Sequence, residues 1–242
     1  MSITTAKNLI DKLQAYASDS DAAFLQRFFK TGAGEYGEGD QFIGVRVPKT
    51  RLVCREFKDL PLDEIKRLLA SPIHEHRLAA VIIMSAQYKK ADQQKQQEIF
   101  DLYLSALDKG QINNWDIVDI SCEHIVGAHA RKYGQDILFS LAKSKKLWHQ
   151  RVAMVSCFAW LRNNQVGPIL ELAEILWMEK HDLLQKAVGW MLRETGKRVD
   201  ESLLIDFLDL HAHAMPRTEL RYSIERLSPE KRLHYMNSHR LN

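Results

Sequence analysis

Cysteine is scarce in this chain. Cys54, Cys122 and Cys157 are the three in 242 residues, they lie far apart, and no two form a CxxC pair. Neither a disulfide framework nor a thiolate zinc site is suggested, and each thiol reads as a small buried apolar residue. Six prolines and eleven glycines are few for this length, which argues against a turn-rich all-β fold. No apolar run approaches the length needed to span a bilayer. Residues Met1 to Ser18 are amphipathic and interrupted by Lys7, Asp11 and Lys12, unlike a signal peptide. A cytoplasmic protein without a membrane partner is the expectation. Excess charge is also lacking: the net charge is +3 with 27% of residues charged. The sum specifies no polyanion partner, so the distribution has to be read.

What is present is helical periodicity. Leu9, Ile10 and Leu13 share one helical face, as do Phe24, Leu25, Phe28 and Phe29. Between Thr31 and Asp40 stand four glycines in ten residues, which predict a loop or short hairpin over about 31–42. A phosphate-cradling loop would need a Lys and a following helix N-terminus; this one carries Glu35, Glu38 and Asp40 instead. Pro48 opens the next helix at its first turn. From there to the C-terminus amphipathic helices follow one another with short breaks such as Ser71-Pro72, over Asp59 to Ala70, Glu75 to Tyr88 and Gln93 to Leu107.

A faint repeat runs through these helices. A basic residue precedes a small apolar run at Arg77, Arg151, Lys186 and Arg221; the steps from 151 to 186 and from 186 to 221 are both 35 residues, and the step from 77 to 151 is 74. The skipped unit would fall at Asn114, beside Trp115. A period of this size with two helices per unit marks an α-solenoid of HEAT-like repeats. The expected architecture is therefore all-α, a single domain over 1–242 with a concave groove. Equivalent positions of successive units would line that groove, bringing Arg77, Trp115, Arg151, Lys186, Trp190 and Arg221 toward one row. Lys143, Lys145, Lys146 and His149 precede Arg151, and Arg193, Lys197 and Arg198 follow Trp190. Acidic residues concentrate elsewhere, in Glu35 to Asp40, Asp59 to Glu64 and Asp200 to Asp209. Cations and indoles in one groove suit nucleic acid, by phosphate contact and by stacking. The plain alternative is that the basic residues are solvated helix ends.

Within that row Asn114-Trp115-Asp116-Ile117-Val118-Asp119 is unusual. Trp115 and Asp119 are four residues apart and share a helical face. An indole face beside a carboxylate stabilises positive charge; otherwise it is a half-buried Trp with a solvated or capping Asp. A carboxylate among phosphate-binding cations weakens binding. A purpose for it would be stabilising an oxocarbenium ion as a glycosidic bond breaks, or positioning the attacking water.

Three segments carry a resemblance: Trp115-Asp116-Ile117-Val118-Asp119, Trp148-His149-Gln150-Arg151-Val152-Ala153, and Gln185 to Glu194 with Lys186, Gly189, Trp190 and Arg193. Together, and more weakly through Gly44 to Pro48 and Glu75 to Ala80, they resemble the AlkD family of DNA alkylation-repair glycosylases over most of the chain. The resemblance implies a HEAT-like solenoid acting on duplex DNA that carries cationic N3- or N7-alkylated purines. It implies excision without base flipping, with Trp115 and Trp190 as aromatic walls at the deoxyribose and Asp119 as the catalytic carboxylate. Arg151 would hold the backbone beside the lesion. Lys186, Arg77, Arg193, Lys146 and His149 are further candidate DNA contacts. The chain departs from the family where a Tyr of its N-terminal helix is Phe28, and where Gly32 to Gly39 looks like an insertion.

No metal site is expected. His74 with His76, and His211 with His213, are two residues apart and point to different helix faces, and no HExxH motif occurs. No cofactor and no obligate protein partner are inferred, and the chain is expected to be a monomer. Trp148, Trp160 and Trp177 read as core. Leu227 to Asn242 reads as a final capping helix or a tail. Two alternatives to excision remain on the same fold: a binder of branched or distorted DNA without catalysis, and a protein-binding helical-repeat module.

Overall fold

The computed structural model describes residues 4–238; residues 239–242, the last of the stretch expected to cap the fold or trail from it, lie outside the described residues. The chain divides into two compact units, Met1–Ile125 and Val126–Asn242. Among the described residues the regular elements are all helices, with one isolated bridge between Gln41 and Ile73.

The first unit contains α1 (Ala6–Gln14), α2 (Asp19–Phe28), α3 (Val47–Glu56), α4 (Leu62–Leu69), α5 (His74–Tyr88), α6 (Gln93–Asp108) and α7 (Trp115–Ser121). Their starts follow the local chemistry. Ser18 caps α2 by accepting from the Asp21 amide, with Asp19 and Asp21 in the first turn, where the helix dipole favours negative charge. Pro48 occupies the first turn of α3, and Asp92 caps α6 through the Lys95 amide at 2.8 Å. Helix α5 is buried nearly all round and packs on α3, α4 and α7. Its Ile83 and Met84, fully buried, each contribute about 1.5–3 kcal/mol by burial. The glycine-rich segment is a loop of turns rather than a hairpin: its one ladder contact is Gln41 with Ile73.

A π-helical turn, Glu123–Gly127, spans the boundary. The second unit contains α8 (Ala128–Tyr133), α9 (Asp136–Lys143), α10 (Leu147–Ser156), α11 (Phe158–Leu161), α12 (Ile169–Leu176), α13 (Asp182–Arg198), α14 (Glu201–His211), α15 (Arg217–Ser223) and α16 (Pro229–Ser238). Pairs form as the repeat predicts: α9 packs on α10 and α12 on α13, and α10, α13 and α15 pack successively. The repeat positions Arg151, Lys186 and Arg221 fall on α10, α13 and α15. Gly189 lets α13 and α15 approach, because a Cβ there would stand 2.5 Å from the Glu219 carbonyl oxygen. Among the described residues no helix is long and apolar enough to cross a membrane. All three thiols are buried as expected, and burial pushes that of Cys54 up to about 12. Of the tryptophans assigned to the core, Trp160 is buried, and Trp148 and Trp177 are half-buried.

Candidate functional site

The first turn of α5 is built from charged residues, yet His74, Glu75, His76 and Arg77 are all buried. Buried charge requires partners, and the glycine-rich loop supplies the central one. Asp40, 3% exposed, accepts from the Arg77 guanidinium, from His74 Nδ1 at 3.1 Å and from Asn113 Nδ2 at 3.0 Å. The other imidazole nitrogen, His74 Nε2, donates to Asp116 Oδ2 on α7 at 2.9 Å. Both acceptors are carboxylates, so both ring nitrogens carry protons and His74 is an imidazolium. Burial alone would lower its pKa; Asp116 and Asp40 outweigh that and hold it up at about 9. Asp40 is held below the usual carboxylate value: burial opposes this, and His74, Arg77 and Asn113 prevail. Glu75 closes the other end of the loop, accepting from the amides of Ile43, Gly44 and Val45 at 3.2, 2.8 and 3.1 Å. Gly44 has φ +81°, and a Cβ there would stand 2.0 Å from the Ser18 carbonyl oxygen, so glycine is required.

This network sets the start of α7. Asn114 is its N-cap, accepting from the Trp115 amide at 2.8 Å, and Asp116 Oδ1 accepts from the Ile117 amide at 2.8 Å. Trp115 is half-buried. Its indole stacks on Phe29 at 5.2 Å, meets Phe28 edge-on at 6.0 Å, and donates from Nε1 to the Tyr36 hydroxyl at 3.3 Å. Tyr36 comes from the glycine-rich loop, so this loop supports both the indole and the carboxylate network. Asp119 is one turn after Trp115 on the same helix and is half-buried; its charge helps burial raise the pKa of the Tyr103 phenol, which bonds Ser121 at 3.0 Å. Beside Trp115 opens a pocket of about 450 Å³, walled by Phe24, Phe28, Phe29, Phe42 and Trp115, with Asp116 and His74 among its polar members.

Arg77, expected to face DNA, is 4% exposed and engaged by Asp40, Asn113 and the Ser71 carbonyl. In the second unit Arg151 is 5% exposed and donates to the Leu183 carbonyl, and His149 is buried. Lys146 is exposed. Lys186 pairs with Asp182 at 2.8 Å, and Arg193 with Glu225 and with Glu194 at 3.1 Å. Trp190 is half-buried and meets Phe158 edge-on at 4.9 Å. Among the described residues no group of three or more His, Cys, Asp or Glu is placed to hold a metal ion. His76, the second member of the first HxH pair, bonds Ser71 Oγ at 2.8 Å; burial, with Arg77 beside it, pushes its pKa down to about 4.

A family model described as DNA alkylation repair enzyme matches residues 9–227. The chain belongs to the DNA alkylation repair enzyme family. Among solved structures it is similar to a predicted DNA alkylation repair enzyme from Enterococcus faecalis, with a TM-score of 0.69 and 14% identity, over 88% of this chain and 97% of that one. At that identity the likeness speaks for the fold, and it agrees with the all-helical architecture. No curated protein matches. Membership in the family supports a role in alkylation repair with DNA as the partner.

Asp40, His74 and Asp116 are the site residues that sequence reasoning missed. The sequence places Asp40 in an acidic loop unsuited to phosphate and His74 in an HxH pair unsuited to a metal. The available signal was a charged run, His74-Glu75-His76-Arg77, leading directly into the apolar stretch Leu78 to Met84, since charges that enter a buried helix need buried partners.

Proposed function

We propose that the protein hydrolyses the N-glycosidic bond of cationic N3- or N7-alkylpurines in duplex DNA, with Asp119 as the carboxylate and Trp115 and Trp190 as aromatic walls at the sugar. The base leaves with the electron pair of its bond to C1′, which neutralises its positive charge, so no general acid is needed. Positive charge then develops on the sugar, where a carboxylate and the negative faces of indoles stabilise it. Water adds to C1′ and gives its proton to Asp119, which passes it to solvent.

The observation that carries this reading is the division of labour on α7. Asp116 has Oδ1 on its own helix's amide and Oδ2 on the His74 imidazolium, so its charge is cancelled where it stands. That supports Asp119 as the carboxylate that acts. Lys146, Lys186, His149, Arg151 and Arg193 are proposed to meet the backbone. Lys146 and Lys186 are the more open of these, and Lys186 and Arg193 would exchange their present carboxylate partners for phosphate.

Release of N7-methylguanine from a duplex carrying one such lesion tests the reading. Wild type is expected to exceed the spontaneous rate, and Asp119→Asn to lose about 100-fold or more, as removal of a transition-state electrostatic partner does, while still binding DNA. A wild-type rate equal to the spontaneous one, here and with N3-methyladenine, or full activity in Asp119→Asn, refutes it.

A further inference from the structure

The glycine-rich loop brings one side chain to the indole that the proposed chemistry uses. We propose that Tyr36 is a positioning residue for base release: its hydroxyl, accepting from Trp115 Nε1, fixes the orientation in which the indole meets the sugar. The proposal rests on the reading of Trp115 as an aromatic wall at the sugar.

Two observations carry it. The first is what the other neighbours of the indole leave open. Phe29 stacks on it at 5.2 Å with an interplanar angle of 27°, and Phe28 meets it edge-on at 6.0 Å. Ring contacts of this kind set the tilt and the separation of two rings. Neither phenylalanine has a polar atom, so sliding and turning of the indole within its own plane cost little. The indole has one polar atom, Nε1, which is a donor only. It donates to the Tyr36 hydroxyl at 3.3 Å. A hydrogen bond is directional, so holding this N–H sets the in-plane orientation that the stack leaves free. A plain hydrocarbon ring at position 36 would leave the N–H to water or to a phosphate oxygen of bound DNA, and the indole would turn toward it.

The second observation is that the hydroxyl is itself held in place. Tyr36 is half-buried, and the backbone is bonded on both sides of it: the Glu35 amide donates to the Gly32 carbonyl at 3.0 Å and the Gly37 amide to the Lys30 carbonyl at 3.1 Å. The loop lies against the end of α2 and the start of α7, since a Cβ on Gly37 would stand 2.5 Å from the Phe29 carbonyl oxygen and 3.5 Å from Asn114 Nδ2. Phe29 is the ring stacked on the indole, and Asn114 caps the helix that carries it. Four residues beyond Tyr36, Asp40 ties the loop to Arg77 and His74. Tyr36 and Trp115 are therefore fixed to one frame, and all of it belongs to the first unit.

The test replaces Tyr36 with Phe, which keeps the ring and removes the hydroxyl. Trp115 is one of five tryptophans, and its indole N–H resonance is assigned by its disappearance in Trp115→Phe. In Tyr36→Phe that resonance is expected to move upfield and to exchange faster with solvent, with the other four unmoved. Single-turnover release of N7-methylguanine from a duplex carrying one lesion is expected to slow by about 2- to 5-fold. This is the lower part of the range for one neutral hydrogen bond, because 3.3 Å is long for N–H···O. Affinity for the same duplex is expected to be unchanged. Thr31→Val removes a different loop bond, from Thr31 Oγ1 to the Gln26 carbonyl, and is expected to release base at the wild-type rate.

An unmoved Trp115 resonance in Tyr36→Phe overturns the proposal, as does a moved resonance with an unchanged release rate. Equal slowing in Thr31→Val would assign the effect to a loosened loop, and weaker binding with an unchanged single-turnover rate would make Tyr36 a DNA contact; either result also overturns it. Base release in wild type is read separately. Its absence fails the glycosylase reading, whatever the resonance shows, and release that is intact in Tyr36→Phe fails this inference alone.

Discussion

Replacing His74 with Gln tests the charge assigned to the centre of the carboxylate network. In the unfolded chain this imidazole titrates near 6.5, and in the folded protein it is held up at about 9. Between those values the native state keeps a proton that the unfolded state has released, so stability falls as pH rises. The contribution is present in full below pH 6.5 and is lost by about pH 9. At 1.36 kcal/mol per pH unit it amounts to about 3 kcal/mol. Glu219 produces a slope of the same sign, because burial raises its pKa from 4.5 to about 9. The informative quantity is therefore the difference between wild type and His74→Gln, in which Glu219 cancels. Urea unfolding followed by circular dichroism between pH 6 and 9.5 measures it. At pH 6 the variant is expected to be several kcal/mol less stable, because Asp40 and Asp116 lose a shared cation. The gap should narrow by about 3 kcal/mol at pH 9. Parallel curves for the two proteins across that window would show that His74 is not charged in the folded state, and the account of the network would fail with it.

Glu219 is fully buried with neither carboxyl oxygen hydrogen-bonded. Glu219→Gln should flatten the loss of stability above pH 4.5 and raise stability at pH 7 by up to about 3 kcal/mol in the same urea assay. Asp40→Ala leaves Arg77 and His74 buried without their shared carboxylate; thermal unfolding should show a loss of about 3–5 kcal/mol, and unchanged melting would refute the role given to the loop. Gly44→Ala combines a left-handed φ with a backbone clash. It should cost more than the ~1 kcal/mol typical of a glycine position, and an equal melting temperature would place the loop elsewhere. Asp116→Asn is expected to retain base release at a reduced rate where Asp119→Asn loses it, and the reverse order would exchange their roles.

The helices were legible because their signals are local. Pro48 sits in the first turn of α3, Ser71-Pro72 separates α4 from α5, and the spacing of apolar residues gives the buried faces. The repeat located the helices correctly, with Arg77, Arg151, Lys186 and Arg221 on α5, α10, α13 and α15. It did not give the direction of each side chain, which depends on what packs against that turn. Arg77, expected from the repeat to line a DNA-facing groove, instead binds Asp40, 37 residues earlier in the chain. The same limit hid the network: Asp40 and His74 are 34 residues apart, and His74 and Asp116 are 42. No local period connects such positions; only the folded loop brings them together.

The network also accounts for an acidic, glycine-rich loop in a chain that works on DNA. Glu35 and Glu38 are taken up within the loop, accepting from the amides of Gly32 and Gly34 at 2.9 Å each. Asp40 is buried against Arg77 and His74. The charge of Asp40 is therefore satisfied inside the fold, while Glu35 and Glu38 stay exposed at the loop surface. On α7 two carboxylates stand three residues apart, and like charges at that spacing repel. Pairing one of them with a buried imidazolium lowers that repulsion and fixes the first turn, from which Trp115 projects. Asp119, the second carboxylate of the helix, stands one turn beyond the indole. A helix that carried both carboxylates uncompensated would repel the DNA backbone more strongly, and one that carried neither would have nothing to stabilise a cationic sugar. The buried His74 takes up the charge of Asp116, and Asp119, one turn from Trp115, is the carboxylate the proposed chemistry uses.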